Sequence, residues 1–487
     1  MRGSGRLPLC LVAVALLAGC THVSGTPVAP VAQQRRPAPV PQPVELTTGA
    51  ERGSPGVVAA GGQPAPYNYG PTVLAEDGRY RAWWCSQLPG VGPAGDDILH
   101  ASSASPDGPF AEGGAPAVPV FSGEPGRFDG MHTCDPSVLR VGGRYYLYYT
   151  GAAGDHAHGN AIGVAGSADG RAWTRRPAPI ASAAGEVQRA NVYGAGQPSA
   201  VFVDGWFYLM FTDTTAKGAG WNGAGQFVLR SRDPLFGKDV QALTERGFRP
   251  AGGERERSVA DAFSADLAYS PTLDAFAIAH QTTGGTRITF WDREFTRHPY
   301  APVTIPGPWQ EGPGLIRDGE GWISPSTSDP CGTVPLDVLR ATGLAPAPTD
   351  IRHFGIDVTD ADGCDTAPRA ARALEGFAVP SPIRTVDLVH DGGKVRLERR
   401  SVAETLATGM LDDRPDAVDG LPVVAEIASG APALRSPSGE IGLLDAKGRS
   451  WLVTEEAAKA NASAIADVTE AQWRAHPVQG DLRSGAR

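Results

Sequence analysis

Pro136-Ser137-Val138-Leu139 leads through Gly142-Gly143-Arg144-Tyr145 to Leu147-Tyr148-Tyr149. An apolar run, a two-residue glycine turn and an aromatic return run together form the signature of a β-hairpin. The same phrase recurs along the chain. Pro71-Thr72-Val73-Leu74 leads through Asp77-Gly78-Arg79-Tyr80 to Ala82-Trp83-Trp84. Pro198-Ser199-Ala200-Val201 leads through Asp204-Gly205-Trp206-Phe207 to Leu209-Met210-Phe211. Pro313-Gly314-Leu315-Ile316 leads through Asp318-Gly319-Glu320-Gly321 to Trp322-Ile323. A second hairpin follows in several units, led by Ile98-Leu99-His100-Ala101, Ile162-Gly163-Val164-Ala165 and Phe227-Val228-Leu229-Arg230.

Four strands per unit, repeated about every 65 residues, is the pattern of a propeller blade. The long gap between Pro198 and Pro313 holds a less regular unit. It runs from Phe263-Ser264-Ala265-Asp266-Leu267-Ala268-Tyr269 to Ala275-Phe276-Ala277-Ile278 and Arg287-Ile288-Thr289-Phe290-Trp291. The expected fold is therefore an all-β, five-bladed β-propeller. A small C-terminal extension of mixed strand and helix character follows it.

Composition agrees. The chain has 487 residues with 62 Gly and 43 Pro, which cost helix interiors about 1 and 3 kcal/mol each and exclude a long helical bundle. It carries 10 Trp, 11 Tyr and 15 Phe for a sizeable core. The net charge of −10, with no basic run after the start, leaves no footprint for a nucleic acid.

The N-terminus points outside the cytoplasm. Arg2 and Arg6 precede an apolar run over residues 7–18, too short to span a bilayer, which ends in Leu17-Ala18-Gly19-Cys20. That ending resembles the bacterial lipobox, which implies lipidation of Cys20 and a protein anchored in the cell membrane on its extracytoplasmic side. Cys85, Cys134, Cys331 and Cys364 remain, which suits two disulfides in an exported chain. Cys331 with Cys364 is the natural local pair, leaving Cys85 with Cys134. No His–Cys cluster suggests a metal.

The expected organisation is a signal peptide over 1–20, a Pro-rich stalk over 21–62, the propeller over 63–375 and the extension over 376–487. In the extension, hairpins are expected over 385–400 and 440–454, with helical composition over 455–473. Whether it is an accessory module or closes the last blade is left open by these patterns.

In a propeller the first strand of each blade lines the central channel, so register matters more than motif. Counting seven residues back from the first turn residue of each clean repeat gives Gly70, Asp135, Gln197 and Glu311. In the irregular unit the turn points to Ser264, whereas alignment on the second strand gives Asp266, the preferred choice, with Asp261 as a rival. Carboxylates converging on one channel suit glycoside hydrolysis, where one acid protonates the leaving oxygen and another activates water or attacks.

Cys134-Asp135-Pro136-Ser137-Val138 and Gln310-Glu311-Gly312-Pro313-Gly314-Leu315 resemble family 43 glycoside hydrolases and their five-bladed relatives in families 62 and 32. The resemblance covers roughly residues 65–330. It implies Asp135 as base, Asp266 as the carboxylate that tunes and orients the acid, and Glu311 as acid, with inversion at the anomeric centre. One departure is plain: the first blade carries Gly70 where the family usually places its base, so the match needs a rotated blade order.

Tyr69, His132, Gln197 and Trp309 stand near the blade starts and are candidate substrate-binding residues. Tyr193 and Trp84 are further aromatics there, with packing favoured for Trp84. The leading expectation is a lipid-anchored glycosidase acting on arabinofuranosyl or xylosyl linkages, monomeric, needing no cofactor, with room in the channel for a structural ion. The alternatives are a non-catalytic glycan-binding propeller and a plain scaffold. Either way the expected partner is a carbohydrate, with the membrane touched only through the N-terminal lipid.

Overall fold

The computed structural model describes residues 42–62, 65, 67–154, 159–343 and 350–485. The expected signal peptide, Cys20 and the first half of the stalk lie outside these residues. The first blade comprises Asn68–Glu76, Arg79–Gln87, Asp96–Ser103 and Val118–Phe121 in hydrogen-bonded order. Inner strands His132–Val141, Ala195–Val203, Ala265–Ser270 and Glu311–Arg317 begin the other four blades.

Each inner strand buries both of its faces, because successive side chains point to opposite sides of a strand. Val138 packs with Leu74 and Trp83 of blade one, while Leu139 packs with Phe207 and Leu209 of blade three. The next apolar layers join blade three to four through Val201, Tyr208, Leu267 and Phe276, and four to five through Ile288, Phe290, Val334 and Leu336. The last layer joins blade five back to blade one, with Leu339 and Ile351 against Val73 and Trp84. The ring of five blades is thus closed by its own cores.

Backbone-to-side-chain bonds stitch the inner strands in a repeating way. Thr72 Oγ1 accepts from Val138 N at 3.4 Å, Ser137 Oγ from Ala200 N at 2.9 Å and Ser199 Oγ from Leu267 N at 2.8 Å. Asp266 Oδ2 continues the series by accepting from Leu315 N at 2.7 Å. The inner strands of blades five and one then pair directly, in parallel, at Val73–Ile316 and Leu74–Arg317.

Arg317 lies at the centre of this ring and is fully buried. From blade five its guanidinium donates to Thr72 Oγ1 (3.1 Å), Ser137 Oγ (3.0 Å), Ala200 O (2.9 Å) and Leu267 O, touching each of the other four blades. Asp266 Oδ1 stands 3.5 Å away as its counter-charge. The positive charge on the axis is therefore a side chain, placed where the sequence reading left room for an ion.

Two expectations need correction here. The stalk does not run to residue 62: Thr47–Gly53 is the outermost strand of blade five, antiparallel to Ile351–Thr359. Arg52 holds it there, through Nε and Nη2 to the Asp337 carboxylate and Nη1 to Asp357. His353 bridges Asp337 to Asp107 of blade one at 2.8 Å on each side, and these carboxylates raise its pKa against the opposing effect of burial. Second, Trp322-Ile323 is not the return strand of blade five. Glu311–Arg317 pairs with Val334–Ala341, and Trp322 instead bridges Tyr269 of blade four.

Both disulfides join the expected partners. Cys331–Cys364 moors the loop inside blade five to the segment leading into the helix Ala367–Ala373. Beyond it the chain folds one design twice. Phe377–Pro380, Val386–His390 and Gly393–Leu397 form a meander flanked in parallel by Gly409–Met410 and Val423–Ile427. Ala433–Arg435, Ile441–Leu444 and Ser450–Val453 repeat it, flanked by Ile465–Asp467 and Val478–Asp481. The helices Arg400–Leu406 and Glu455–Ala460 follow the equivalent strands, and the two halves share a core that includes Leu388, Val402, Leu443 and Ala457. The helical stretch expected over 455–473 is accordingly broken. Ala462 adopts a positive φ of 56°, and Thr469 caps a new helix, Glu470–Arg474.

Replacing Arg317 by Met strands Asp266 in the core without its counter-charge. Loss of one partner of a buried pair costs about 3–5 kcal/mol. Urea unfolding of Arg317→Met is expected to show a drop of that order, and an unchanged midpoint would contradict the role given to this residue.

Candidate active site

The channel end of the inner strands is built on a shared irregularity. Pairing skips between Tyr69 and Thr72, Cys134 and Ser137, Gly196 and Ser199, and Glu311 and Gly314. Each skip is a β-bulge, and the proline that follows has no N–H to give to the ladder. The bulged residues Gly70, Asp135, Gln197 and Gly312 have φ of 56°, 47°, 52° and 43°. Left-handed backbone costs an L-residue about 1–2 kcal/mol. Glycine meets that demand in blades one and five, whereas Asp135 and Gln197 carry side chains at the same strained register.

Gly70, Asp135, Gln197, Ser264, Asp266 and Gly312 line one shallow pocket on the axis. The glycines are there for space as well as for φ. A Cβ at Gly312 would come within 2.9 Å of Gly70 Cα, and one at Gly70 within 3.3 Å of Asp135 Oδ1.

Asp135 is half-buried, and its Oδ2 accepts from Thr150 Oγ1 at 2.9 Å and from the Tyr193 hydroxyl at 3.4 Å. Burial, and then the neighbouring charge of Glu311, push its pKa up to about 7 against the pull of Thr150. Glu311 accepts a hydrogen bond from the Tyr67 hydroxyl at Oε2. Its pKa is also raised, first by burial, with the Tyr67 bond opposing and the Asp96 charge adding. Tyr67 itself is held above the ordinary phenol value by burial and by Glu311. One acid thus lines the pocket and another stands beside it, and burial raises the pKa of both.

Support comes from behind. The Tyr67 and Tyr69 rings lie 4.4 Å apart, Tyr69 donates to Asp96 Oδ2 at 3.3 Å, and His132 Nδ1 lies 3.2 Å from the same oxygen. The disulfide Cys85–Cys134 fixes the residue before Asp135 to blade one. Its sulfurs, with Asp96, are the one cluster of metal-ligating type among the described residues, and they are spent in the S–S bond.

Against the sequence expectations, Asp135 and Gln197 reach the pocket and Glu311 stands beside it. Glu311 is one residue off the shared register, which Gly312 occupies, because the turn over residues 318–321 does not join two paired strands of blade five and so misplaces the count. Asp266 lines the pocket but lies two residues past the register position of its blade. It belongs to the layer of Thr72, Ser137 and Ser199, and Ser199 Oγ (2.5 Å), Leu315 N and Arg317 engage its oxygens. Ser264 holds the pocket register in blade four. Tyr69 and His132 are buried props of Asp96, not surfaces for a ligand. Trp309 keeps an exposed ring, with its Nε1 donating to Thr282 O at 2.6 Å. Trp84 is a core residue bonded to Asn68.

Tyr67, Thr150 and Asp96 were not singled out from the sequence. Tyr193 was noted only as a ring, although its hydroxyl is what meets Asp135. An aromatic three residues before the bulge, as in Tyr67-Asn68-Tyr69-Gly70, is the local signal that stood available for Tyr67.

No family model matches the chain, and no curated protein matches it. Solved structures similar to it include Zg3597, a family 117 glycoside hydrolase from Zobellia galactanivorans. That match has 14% identity over 64% of this chain and 91% of the other, with TM-score 0.43. The catalytic domain of the Coprinopsis cinerea GH62 α-L-arabinofuranosidase is similar at 11% identity over 63% and 97%, TM-score 0.39. The Podospora anserina α-L-arabinofuranosidase PaAbf62A, in complex with cellotriose, is similar at 12% identity over 65% and 98%, TM-score 0.38.

The pairing of the two acids is directly measurable. In Glu311→Gln, Asp135 is expected to titrate clearly below about 7 once its charged neighbour is gone. In Tyr67→Phe, Glu311 is expected to titrate higher, since the hydrogen bond that favours its charged form is gone. Carboxyl 13C NMR against pH reads both, and two unmoved titrations would mean the acids do not sense each other or Tyr67.

Proposed function

We propose that the pocket is the active site of a glycoside hydrolase acting on arabinofuranosyl or xylosyl linkages. The observation that carries this reading is the pair of electrostatically coupled carboxyls, Asp135 and Glu311, at the mouth of a closed ring. Two like charges so placed resist joint ionisation, so the pair retains one proton near neutrality. Hydrolysis needs that state: one acid to protonate the leaving oxygen and one carboxylate to activate water on the opposite face of the sugar.

Glu311 is assigned the acid, with Tyr67 occupying Oε2 and leaving Oε1 to carry the proton. Asp135 is the base, oriented by Thr150 and Tyr193. Gln197 lines the wall of the pocket and binds the sugar hydroxyls. The reaction inverts, as the family resemblance implies. A second reading has one observation in its favour: Ser264 stands where the third carboxylate of that resemblance belongs. It is a non-catalytic propeller that binds glycans. In both readings the chain is a monomer anchored through Cys20 on the extracytoplasmic side of the cell membrane.

Glu311→Gln and Asp135→Asn are each expected to reduce hydrolysis of 4-nitrophenyl pentosides and arabinan by at least about 10²-fold, the scale of one acid–base group, with folding intact. Activity should rise as pH rises toward about 7, where the base Asp135 loses its proton. Saturable glycan binding without product release, in wild type and Glu311→Gln alike, would favour the second reading. Cys20→Ala should move the protein from the membrane to the soluble fraction on cell fractionation, and unchanged membrane recovery would refute the anchor.

A further inference from the structure

Among the described residues three aromatic side chains are exposed: Trp221 at 92%, Phe263 at 38% and Trp309 at 37%. All three stand at the channel end of the propeller. Trp309 is two residues before Glu311, and Phe263 immediately precedes the pocket residue Ser264. Trp221 rides on the loop of residues 214–225, which leaves blade three at Asp213, the residue paired with Ala195 at the pocket end of the inner strand.

This loop is braced. The Arg189 guanidinium donates to Thr214 O (3.1 Å), Ala216 O (2.8 Å) and Ala219 O (3.0 Å). Gly220 N donates to Ala224 O at 2.7 Å, and Gly223 N to Gly220 O at 2.9 Å. Asn191 Nδ2 reaches Asn222 O at 3.4 Å. The segment that provides Arg189 and Asn191 ends at Tyr193, whose hydroxyl meets Asp135. One arm therefore orients both the carboxylate and the loop that carries the indole.

An indole open on nearly its whole surface, held by a bonded loop, is a preorganised binding surface. Its neighbours decide the occupant. Gly218, Gly220, Asn222 and Gly223 surround Trp221 in sequence, so its neighbours along the loop are small or polar and not the large apolar side chains of a protein interface core. A single flat ring flanked by glycine and amide fits the C–H face of a sugar. The axial pocket is shallow and lies inside the rim, so a ligand touching both must be longer than one ring.

We propose that Trp221 is a stacking platform for a remote unit of an uncharged glycan chain, whose reacting unit lies between Asp135 and Glu311. The substrate is then an oligosaccharide or polysaccharide, recognised well away from the bond that is cut, and not a lone terminal glycoside. This rests on the glycosidase reading for the reacting unit, whereas the platform itself is tested by binding.

The test compares wild type, Trp221→Ala and Trp221→Phe by gel retardation in arabinan and in arabinoxylan. It also compares kcat/KM on arabino- and xylo-oligosaccharides with that on 4-nitrophenyl pentosides. Trp221→Ala is expected to lose retardation. Its kcat/KM should fall about tenfold more on oligosaccharides than on the aryl pentosides, mainly through KM, a factor of ten being about 1.4 kcal/mol. Trp221→Phe should restore much of both. Equal losses on short and long substrates, undiminished retardation of Trp221→Ala, or no retardation of wild type by either polymer would overturn the proposal. A wild type that is retarded but hydrolyses nothing would refute the glycosidase reading alone, and the loss of retardation in Trp221→Ala would still uphold the platform.

Discussion

A buried guanidinium holds the ring together. Arg317 gives up its hydration for bonds to blades one to four, and desolvation of such a charge costs several kcal/mol unless its donors are met and its charge is balanced. Thr72, Ser137 and the carbonyls of Ala200 and Leu267 meet the two Nη groups, Nε is left without a hydrogen-bond partner, and Asp266 balances the charge. The planar fork suits this work, because it can face several strands at once where an ammonium would act as a point. The same demand commits Asp266. A carboxylate needed to neutralise the axis, and to accept from Ser199 and Leu315, is not free to tune an acid in the pocket above.

With the axis filled, what stands above it is decided by the bulges. The repeated skip turns one residue of each inner strand toward the mouth, at a φ that glycine tolerates and other residues resist. Gly70 and Gly312 are the relaxed solution, and their near contact draws blades one and five close together. Asp135 and Gln197 are the strained solution. Backbone strain persists where surrounding structure over-determines it, and it concentrates at sites of function. Here the closed ring supplies that over-determination.

The regular blades were legible because their cause is local. Asp77-Gly78, Gly142-Gly143 and Asp204-Gly205 all adopt positive φ at the hairpin turns, as the residue types demand, so counting back from them reached Gly70, Asp135 and Gln197 correctly. Blades four and five lack that anchor. In blade four the count from the turn, which pointed to Ser264, proved better than alignment on the second strand, which pointed to Asp266. Blade five borrows its outer strand from residues 47–53, roughly three hundred residues away in sequence, and no local pattern records such a pairing. The doubled C-terminal fold was hidden for a related reason. Its halves share topology and nearly continuous burial of their central strands, but few identical residues. Tyr67 and Tyr193 reach the carboxyls from irregular segments, outside any period.

The site is held against its own electrostatics. An acid whose pKa is raised on folding destabilises the native state as pH rises. The penalty is absent below the ordinary aspartate value of 3.8, grows between there and about 7, and is complete above it. For Asp135 this amounts to a few kcal/mol at the alkaline end, on top of the strain of its bulge. Relaxation would be simple: a small outward shift of one strand would rehydrate the carboxyl. The disulfide at Cys134 blocks that shift on one side of the bulge, and the bond from Ser137 to Ala200, with Arg317 behind it, blocks it on the other. The rigidity of the ring is what keeps Asp135 within the field of Glu311.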